Sequence, residues 1–457
     1  MKTEPPRESA GVVPVRRAET DSGFQVLWTR RPEGRFLSGF RSFVIGRVED
    51  TDADSNDSPH REAARREWLE ESGWGDAGRA LDAQRLKPIG EWTSPAWAGE
   101  VYHTRFFVLE LTEDEAAGCT EALDPREHDD PEWIDPARAL ERWRRDEVLL
   151  SPPILRALKG LKQKGLEEGI PAPESRLEIE GFQVSGGHFM LPLRSPTLPP
   201  AEYTNCYFIG RDDFVIVDPG SDDASDRDLL LEAVRRRESR GHRARAIVAT
   251  HHHRDHVAGV EHLQQARDLE LWAHPEFDER VDDIDVDRRL ADGDRIDLKD
   301  RDIVVLETPG HAPDHLTLFD ETAQRAFVGD LVATEGTIVI DPPGGHMGDY
   351  LESLRRIRRL GCEVLFPAHG APVTAPDDHL GYYISHRLDR ESKVAAALRR
   401  AQRARADDLV STVYDDVDER VWPLAVRSLT AHLIHLTEEG RARREDEYFE
   451  WIGSLNR

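Results

Sequence analysis

Cysteine is scarce in this chain, and long apolar runs are missing. Its 457 residues include three cysteines, Cys119, Cys206 and Cys362, which lie far apart and form no CxxC pair. That spacing argues against a disulfide framework and favours buried free thiols in a reducing compartment. No apolar stretch approaches the roughly 20 residues that a membrane-spanning helix needs. We therefore expect a soluble, cytoplasmic protein with no membrane partner.

Positive charge is also in short supply. The chain has 61 lysines and arginines against 89 aspartates and glutamates, for a net charge of −28. This acidic excess argues against general adhesion to nucleic acids or anionic membranes. The length exceeds that of one ordinary domain, so two or three domains are expected. The sequence does not reveal the oligomeric state.

The periodic pattern of the chain breaks once in its first half. Lysines, glycines and prolines accumulate between Gly160 and Arg176. Such residues are typical of a linker. We therefore predict domains at residues 1–160, 177–380 and 381–457, with a linker at 161–176.

The most informative stretch is 250–256 (THHHRDH), which directly follows a short apolar strand. In an extended segment, residues two apart project to the same side, so His251 and His253 can converge on one ion. Asp255 and His256 follow at once and offer an oxygen and a nitrogen to a second ion beside the first. The stretch therefore predicts half of a two-metal site.

Three further candidate ligands each stand just past the end of a short apolar strand. They are His311 after residues 303–306, Asp330 after residues 326–328, and His369 after residues 364–366. Four strands thus each deliver a ligand type to the loop that follows, as expected when a sheet edge holds a metal site.

This pattern resembles the metallo-β-lactamase fold superfamily, whose members share HxHxDH, then a GH, a GD and a final H. The histidine of the DH pair points away from true β-lactamases and towards the glyoxalase II, ribonuclease Z and related hydrolases. The resemblance implies an αββα sandwich that holds two metals and a bridging carboxylate. The first metal would be held by His251, His253 and His311. The second metal would be held by Asp255, His256 and His369, and Asp330 would bridge the two.

The chemistry expected of this site follows from its ligands. Two Zn²⁺ ions are the expected cofactors, and Fe or Mn²⁺ would suit the same ligands. Two cations lower the pKa of a shared water enough to give a metal-bound hydroxide near neutral pH. Asp255 and Asp330 are the predicted catalytic carboxylates. Thr250, Asp218 and His315 are candidates for the layer that orients the ligands, and His315 is also a candidate for contact with the substrate.

A second constellation lies earlier in the chain, in the stretch 66–74 (REWLEESGW). A helix is predicted there, with Ser58 as its N-cap. Glu67, Glu70 and Glu71 stand three and four residues apart, so their carboxylates line one face of that helix. Three close carboxylates repel one another unless a cation lies between them. An acidic face exposed to solvent is the plain alternative.

This stretch resembles the second half of the Nudix box, REUxEExGU. Residues 46–49 supply the first half, an insertion occupies residues 50–59, and the first glutamate of the box aligns with Ser58. The resemblance implies an α/β/α Nudix domain that binds Mg²⁺ or Mn²⁺ through the three glutamates and hydrolyses a nucleotide or CoA diphosphate. A degenerate domain that only binds a nucleotide, or only packs on its neighbour, is the alternative.

The tail of the chain has helical periodicity in residues 394–398, 409–414 and 421–436, which predicts three short helices. Residues 382–391 (YYISHRLDRE) and 429–440 resemble the tail of the lactamase-beta-like 2 family. That resemblance implies a winged-helix-like module, and a simple helical cap on the sheet edge is the alternative. The predicted fold class is therefore an α+β protein of several domains.

Three functions stay open on sequence grounds. We favour a hydrolase of a small ester or thioester, as in glyoxalase II-like enzymes. The second is an endoribonuclease that cuts single-stranded RNA, since the lactamase-beta-like 2 family includes one. The third is a nucleotide sensor with a degenerate Nudix domain. The residues predicted to meet the substrate are His315, His386, Arg387 and Arg390, and the arginines expected along an RNA backbone continue with Arg399, Arg400 and Arg403.

Overall fold

The structure, a computed structural model, describes residues 5–35, 37–54, 57–98, 100–166, 169–281 and 284–453. It divides into two compact units: unit 1 comprises Met1–Pro192 and Tyr207–Arg211, and unit 2 comprises Leu193–Cys206 and Asp212–Arg457. The predicted domain limits stay a prediction. Their outermost residues, 1–4 and 454–457, lie outside the described residues, as do positions 167 and 168 of the predicted linker.

Unit 1 is built around a seven-stranded mixed sheet. The strands of that sheet are β1 (Arg7–Arg17), β2 (Phe24–Arg30), β3 (Arg41–Ser42), β4 (Val44–Arg47), β5 (Leu86–Thr93), β6 (Tyr102–Leu111) and β7 (Asp129–Ile134). Two further strands form a hairpin, β8 (Phe182–Ser185) and β9 (His188–Arg194), and the division between the units crosses β9 and β10 (Tyr203–Ile209). The helices are α1 (Pro59–Glu71), α2 (Glu113–Ala116), α3 (Cys119–Ala122), α4 (Pro136–Arg144), α5 (Pro152–Lys164) and α6 (Arg176–Glu180).

Strand β1 is the centre of this sheet, since it pairs with β6 in parallel and with β2 and β4 in antiparallel fashion. Helix α1 packs on one face of the sheet through Ala63, Ala64 and Trp68. Helices α4 and α5 pack on the other face through residues such as Leu140 and Leu158. The predicted α/β/α architecture is therefore confirmed. Helix α5 continues to Lys164, so the predicted limit at residue 160 falls inside a helix.

Unit 2 contains two larger sheets and a small C-terminal one. Its strands are β11 (Asp213–Val217), β12 (Arg243–Val248), β13 (Glu270–Ala273), β14 (Arg288–Arg289), β15 (Arg295–Leu298), β16 (Arg301–Glu307), β17 (Leu316–Asp320), β18 (Arg325–Gly329), β19 (Val364–Pro367), β20 (Arg403–Ala404), β21 (Ala442–Glu445) and β22 (Tyr448–Trp451). Its helices are α7 (Ala224–Glu238), α8 (Arg254–Val257), α9 (Val260–Arg267), α10 (Met347–Leu360), α11 (Pro376–Ala401), α12 (Ala406–Val413) and α13 (Trp422–Glu438).

Strand direction decides where the loops of unit 2 meet. Strands β11 to β14 pair in parallel, so their carboxyl ends share one edge. In the second sheet β16 and β18 are both antiparallel to β17, and β19 is parallel to β18. Strands β16, β18 and β19 therefore run in the same direction, and the loops that follow them emerge at the same edge.

The C-terminal part differs from the prediction in one respect. The first of the three predicted short helices is a 26-residue helix, α11, so the predicted limit at residue 381 also falls inside a helix. The first half of α11 packs with the second sheet and α10 through Leu380 and Tyr383. Its second half packs with α12 and α13 through Val394 and Leu398. With the hairpin β21–β22 these helices form a winged-helix-like module, as predicted.

Across the described part of the chain, none of the helices combines the length and the apolar character that crossing a membrane requires.

Candidate metal centre

The stretch 250–256 changes conformation halfway along its length. It begins just after β12, and His253 is still extended, with φ −62° and ψ 144°, as the N-cap of α8. His251 and His253 therefore point to the same side, while Asp255 and His256 belong to the first turn of α8. The two-residue period of the extended segment, followed by the first turn of α8, brings the side chains of all four residues to one place.

Three histidine nitrogens converge at this edge. The Nε2 atom of His251 lies 2.9 Å from Nδ1 of His253, and the Nε2 atom of His311 lies 2.9 Å from the same Nδ1. These are the three residues that the sequence predicted as the first metal set, and their nitrogens are placed to hold one cation.

The second predicted set lies beside the first. The Nε2 atom of His369 is 3.5 Å from a carboxylate oxygen of Asp255, and Nε2 of His256 is 3.9 Å from the same oxygen. Asp330 stands between the sets: its Oδ1 is 3.3 Å from His369 Nε2, and its Oδ2 is 3.4 Å from His311 Nε2. One carboxylate thus faces both groups of predicted ligands, as its predicted bridging role requires.

Two buried atoms indicate that these groups fit cations. Within the described residues, His256 Nε2 and Asp330 Oδ1 have no hydrogen-bond partner, although both atoms are inaccessible to solvent and only 3.5 Å apart. A buried polar atom without a hydrogen-bond partner destabilises the fold unless another group, such as a cation, pairs with it. Imidazole nitrogens together with carboxylate oxygens are the donors that Zn²⁺, Fe and Mn²⁺ accept.

A layer of hydrogen bonds behind the ligands sets the imidazole tautomers. His256 Nδ1 lies 2.9 Å from Asp218 Oδ2, His311 Nδ1 lies 2.8 Å from the carbonyl oxygen of Val339, and His369 Nδ1 lies 2.9 Å from that of Tyr203. Because these acceptors hold the Nδ1–H groups, each Nε2 presents its lone pair to the site.

Asp218 is the centre of that layer. Its carboxylate also accepts hydrogen bonds from the backbone N–H of Thr250, at 2.8 Å, and from the Thr250 hydroxyl, at 2.7 Å. Its backbone has φ +51°, a left-handed conformation that is uncommon outside glycine. Backbone strain of this kind persists where the surroundings hold it, often at functional sites. The sequence proposed Asp218 and Thr250 for this layer, and both contacts are present.

The electrostatics of the cluster suit cation binding. Burial, reinforced by neighbouring histidines, lowers the pKa of His251 and brings that of His253 to about 3. Burial works the other way on Asp255, but His256 and His369 outweigh it and lower the pKa of this carboxyl to about 2. At His256 and His369, burial is likewise outweighed by neighbouring carboxylates, which raise the pKa of both imidazoles. Cations bound beside these carboxylates would therefore release protons from the two imidazoles.

His315 lies behind the ligands, which corrects its predicted contact with the substrate. The side chain is buried, its Nδ1 is 2.8 Å from the Thr308 hydroxyl, and its Nε2 accepts the backbone N–H of Asp330 at 3.0 Å. A Cβ atom on Gly329, which has φ +47°, would come within 2.7 Å of that Nε2. Glycine before Asp330 therefore permits the close approach by which His315 positions Asp330.

A cavity of about 980 Å³ opens above the predicted ligands within unit 2. Its walls include the loop 196–201, the loop 333–339 and the exposed side of α11, and residues from Tyr414 to Ser428 of the winged-helix-like module close the far side. His386, Arg387 and Arg390 line this cavity, and their contact with a substrate stays a prediction. The cavity-lining residues from Tyr414 to Ser428 were not predicted.

The glutamates of the second constellation lie on α1 but are not gathered into a ligand set. Among the described residues, no group of three ligand atoms within 4.8 Å of one another contains Glu67, Glu70 or Glu71. Glu67 and Glu70 face the guanidinium of Arg66, at 2.8 and 3.5 Å, and Glu71 lies 2.6 Å from His128 Nε2. A guanidinium thus stands beside Glu67 and Glu70, and an imidazole stands beside Glu71. Oxygen donors of this kind suit Mg²⁺ or Mn²⁺.

Histidines and carboxylates gathered at the carboxyl edge of a layered α/β fold are typical of metal-dependent hydrolases. Comparison with known families agrees. Residues 199–369 match the "Metallo-beta-lactamase superfamily", residues 5–152 match the "NUDIX domain", and residues 406–451 match the "Beta-lactamase associated winged helix domain". The chain therefore carries a metallo-β-lactamase domain, an N-terminal Nudix domain and a C-terminal winged-helix domain, as the sequence predicted, and this combination supports a hydrolase.

Individual relatives cover parts of the chain. A beta-lactamase-like protein 2 homolog of Drosophila melanogaster is 28% identical over 54% of this chain and 87% of that protein. An atrochrysone carboxyl ACP thioesterase of Aspergillus chevalieri is 31% identical over 38% of this chain and 57% of that protein. A crystal structure of a beta-lactamase domain protein from Burkholderia ambifaria aligns with a TM-score of 0.52 at 21% identity, over 60% of this chain and 93% of that one. This last likeness establishes a shared fold.

Neighbouring histidines allow a matched test of the ligand assignment. His253→Ala removes a nitrogen shared by two close contacts, so we expect bound metal, measured by elemental analysis, to fall by at least half. His252→Ala should retain the wild-type metal content, because His252 instead pairs with Asp314 at 2.7 Å. Equal loss of metal in the two variants would contradict the assignment.

The role of Asp218 is tested by Asp218→Asn. An amide cannot serve as acceptor for all three of the groups that the carboxylate now holds. We expect metal affinity, measured by competition with a chelator, to fall about ten- to a hundredfold, the range typical of partners behind metal ligands. Unchanged affinity would show that Asp218 serves only the local fold.

Proposed function

We propose that unit 2 is a dinuclear metal-dependent hydrolase that cleaves a small ester or thioester. The proposed ligands are the two predicted sets, and Asp330 is the proposed bridge. Two Zn²⁺ ions, when bound, would supply an activated water and polarise the carbonyl under attack. Asp255 lines the cavity and lies 3.5 Å from His369, so its carboxylate is placed to accept a hydrogen bond from the incoming nucleophile and to orient it.

The observation that carries the substrate proposal is the apolar character of the cavity mouth. Leu198, Tyr382 and Val421 are large hydrophobic side chains with 50%, 63% and 44% of their surface exposed, and all three line this cavity. A cluster of exposed apolar side chains at the opening of a cavity is typical of a surface that binds apolar ligands. We infer that the acyl part of the substrate lies against them. The thioesterase name of the Aspergillus relative agrees with this inference.

The cationic side chains of the same cavity do not favour RNA. Arg390 pairs with Asp416 at 2.8 Å, Arg427 with Asp341 at 3.0 Å, and Arg254 with Asp222 at 2.9 Å. Arg387 is buried and donates to the carbonyl oxygen of Ile338. Recognition of a phosphate backbone relies on cations that can pair with phosphates, and these arginines already have partners within the protein. Their proposed role is to hold the cavity wall.

We further infer that the Nudix domain binds Mg²⁺ or Mn²⁺ and hydrolyses a nucleotide or CoA diphosphate. Glu67, Glu70 and Glu71 share one face of α1. Burial first, and then the charges of Glu71 and Glu70, raise the pKa of Glu67 to about 7 against the opposing effect of Arg66. Carboxylates that repel one another in this way favour a bound cation, which supports the proposal.

The hydrolase proposal is tested with the full-length protein, its metal content measured, on acyl thioesters, S-lactoylglutathione and single-stranded RNA. We expect turnover of a thioester that is lost on chelation, restored by Zn²⁺, and reduced about a hundredfold or more in Asp330→Asn. RNA cleavage that survives Glu67→Gln but disappears in Asp330→Asn would instead favour the endoribonuclease. Nucleotide binding without any turnover would favour a sensor.

The apolar wall makes a separate prediction about acyl length. Val421→Ser removes apolar contact, so we expect KM for a long-chain thioester to rise roughly three- to tenfold while an acetyl thioester is unaffected. Leu388→Ser is the matched control, because Leu388 is exposed on the same long helix as Tyr382 but does not line the cavity. Equal effects on long and short acyl groups would contradict the placement of the acyl chain.

A further inference from the structure

A second cluster of histidines and carboxylates lies in the C-terminal module. In the part of the chain that the structure describes, Glu391, His435 and Glu439 offer three ligand atoms that lie within 4.8 Å of one another. Glu391 stands on α11, His435 stands on α13, and Glu439 is the C-cap of α13. Imidazole nitrogens and carboxylate oxygens are donors that Zn²⁺ accepts. The cluster shares no residue with the ligand sets proposed above.

The spacing along α13 places the polar groups on one face of that helix. His432, His435 and Glu439 follow one another at intervals of three and four residues, which project to the same side. That side faces α11: His435 Nδ1 lies 2.7 Å from Glu391 Oε2, and His432 Nδ1 lies 3.5 Å from the same oxygen. The same two helices share the apolar core of the module. The cluster therefore lies where α11 and α13 meet.

Burial distinguishes this cluster from an ordinary surface ion pair. Glu391 is only 5% exposed, and His432 is fully buried. Neither ring nitrogen of His432 has a hydrogen-bond partner among the described residues. A buried donor left in this state destabilises the fold. His432 stands behind Glu391, where a slight turn of the carboxylate would complete a hydrogen bond and hold Glu391 in place, as partners behind metal ligands do.

Helix α10 covers the other side of the His435 ring. A Cβ atom on Gly348, in the first turn of α10, would lie 3.2 Å from His435 Cδ2 and 3.4 Å from its Nε2. Glycine at this position permits the close approach of the two helices. The ring is thus held by packing, with Nδ1 turned towards Glu391, which is the fixed orientation that a metal ligand needs.

A protein cation already lies between the two carboxylates. Arg441 Nη1 is 3.3 Å from Glu391 Oε1 and 2.9 Å from Glu439 Oε2. The two glutamates therefore draw positive charge to one point. The Arg441 side chain is 32% exposed and follows the end of α13, so it can turn out to solvent without crossing the core. Ion pairs of part-exposed arginines are weak, and a divalent cation with three protein ligands would compete with this one.

We propose that Glu391, His435 and Glu439 form a further metal site, a structural Zn²⁺ site that joins α11 to α13. His432 positions Glu391, and Arg441 competes with the ion for the carboxylates. Because both helices contribute residues to the wall of the cavity, the ion would hold that wall in place. The proposal does not depend on the reaction proposed for the histidine centre.

The test is the Zn²⁺ content of the saturated full-length protein, measured by elemental analysis. Glu439→Gln and His435→Ala should each lose one equivalent relative to wild type. Glu438→Gln is the matched control: it neutralises the neighbouring glutamate, which pairs with His346 at 2.8 Å, and should keep wild-type content. The losses in Glu439→Gln and His253→Ala should be additive, because they affect separate centres.

Arg441→Gln separates a metal site from a cluster of ion pairs. Removal of the competing guanidinium should tighten Zn²⁺ binding at this site roughly three- to tenfold, measured by competition with a chelator. Zn²⁺ should also raise the Tm of wild type by more than that of Glu439→Gln.

If His435→Ala does not fold, Glu439→Gln and Arg441→Gln carry the test, because both side chains are part-exposed. Equal Zn²⁺ content in wild type and Glu439→Gln, with no gain of affinity in Arg441→Gln, would overturn the proposal, whether or not the protein hydrolyses a thioester. Loss of the equivalent in Glu439→Gln from a protein that hydrolyses no thioester would support the site and overturn only the proposed function.

Discussion

Unit 2 depends on one constraint: imidazoles and carboxylates are packed together, mostly buried, at a sheet edge. The Nε2 atoms of His251 and His311 each lie 2.9 Å from His253 Nδ1, and Asp330 Oδ2 lies 3.4 Å from His311 Nε2. Such a cluster is costly to bury unless each group is held in one orientation and one charge state. The strained backbone of Asp218 and the glycine before Asp330 are consequences of holding it.

Both proposed sites of unit 2 are held in the same physical way. At the candidate metal centre the carboxylate of Asp218 stands behind the ligands and orients His256 and Thr250. In the C-terminal module the imidazole of His432 stands behind the carboxylate of Glu391. Asp218 and His432 are both almost fully buried. A buried group that cannot move is a rigid reference for groups that must meet a cation.

The winged-helix module has a role beyond its own core. Helix α11 begins on the second sheet and ends among α12 and α13, so one continuous element belongs to both cores. That continuity brings Tyr414 and Val421 to the cavity above the ligands. The module therefore shapes the space in which the proposed substrate lies, and its arginines support that wall through ion pairs.

Local periodicity was enough to predict which side chains converge at the candidate metal centre, because an extended HxH and the helical turn after it determine where neighbouring side chains point. The sequence pattern also predicted the place of His311, Asp330 and His369, since each follows a short buried strand. Tertiary structure alone decided the rest. His315 lies behind Asp330 rather than in the cavity, and Glu391 meets a histidine 44 positions further along the chain. Periodicity describes neighbours in the chain, whereas these contacts depend on how distant segments pack.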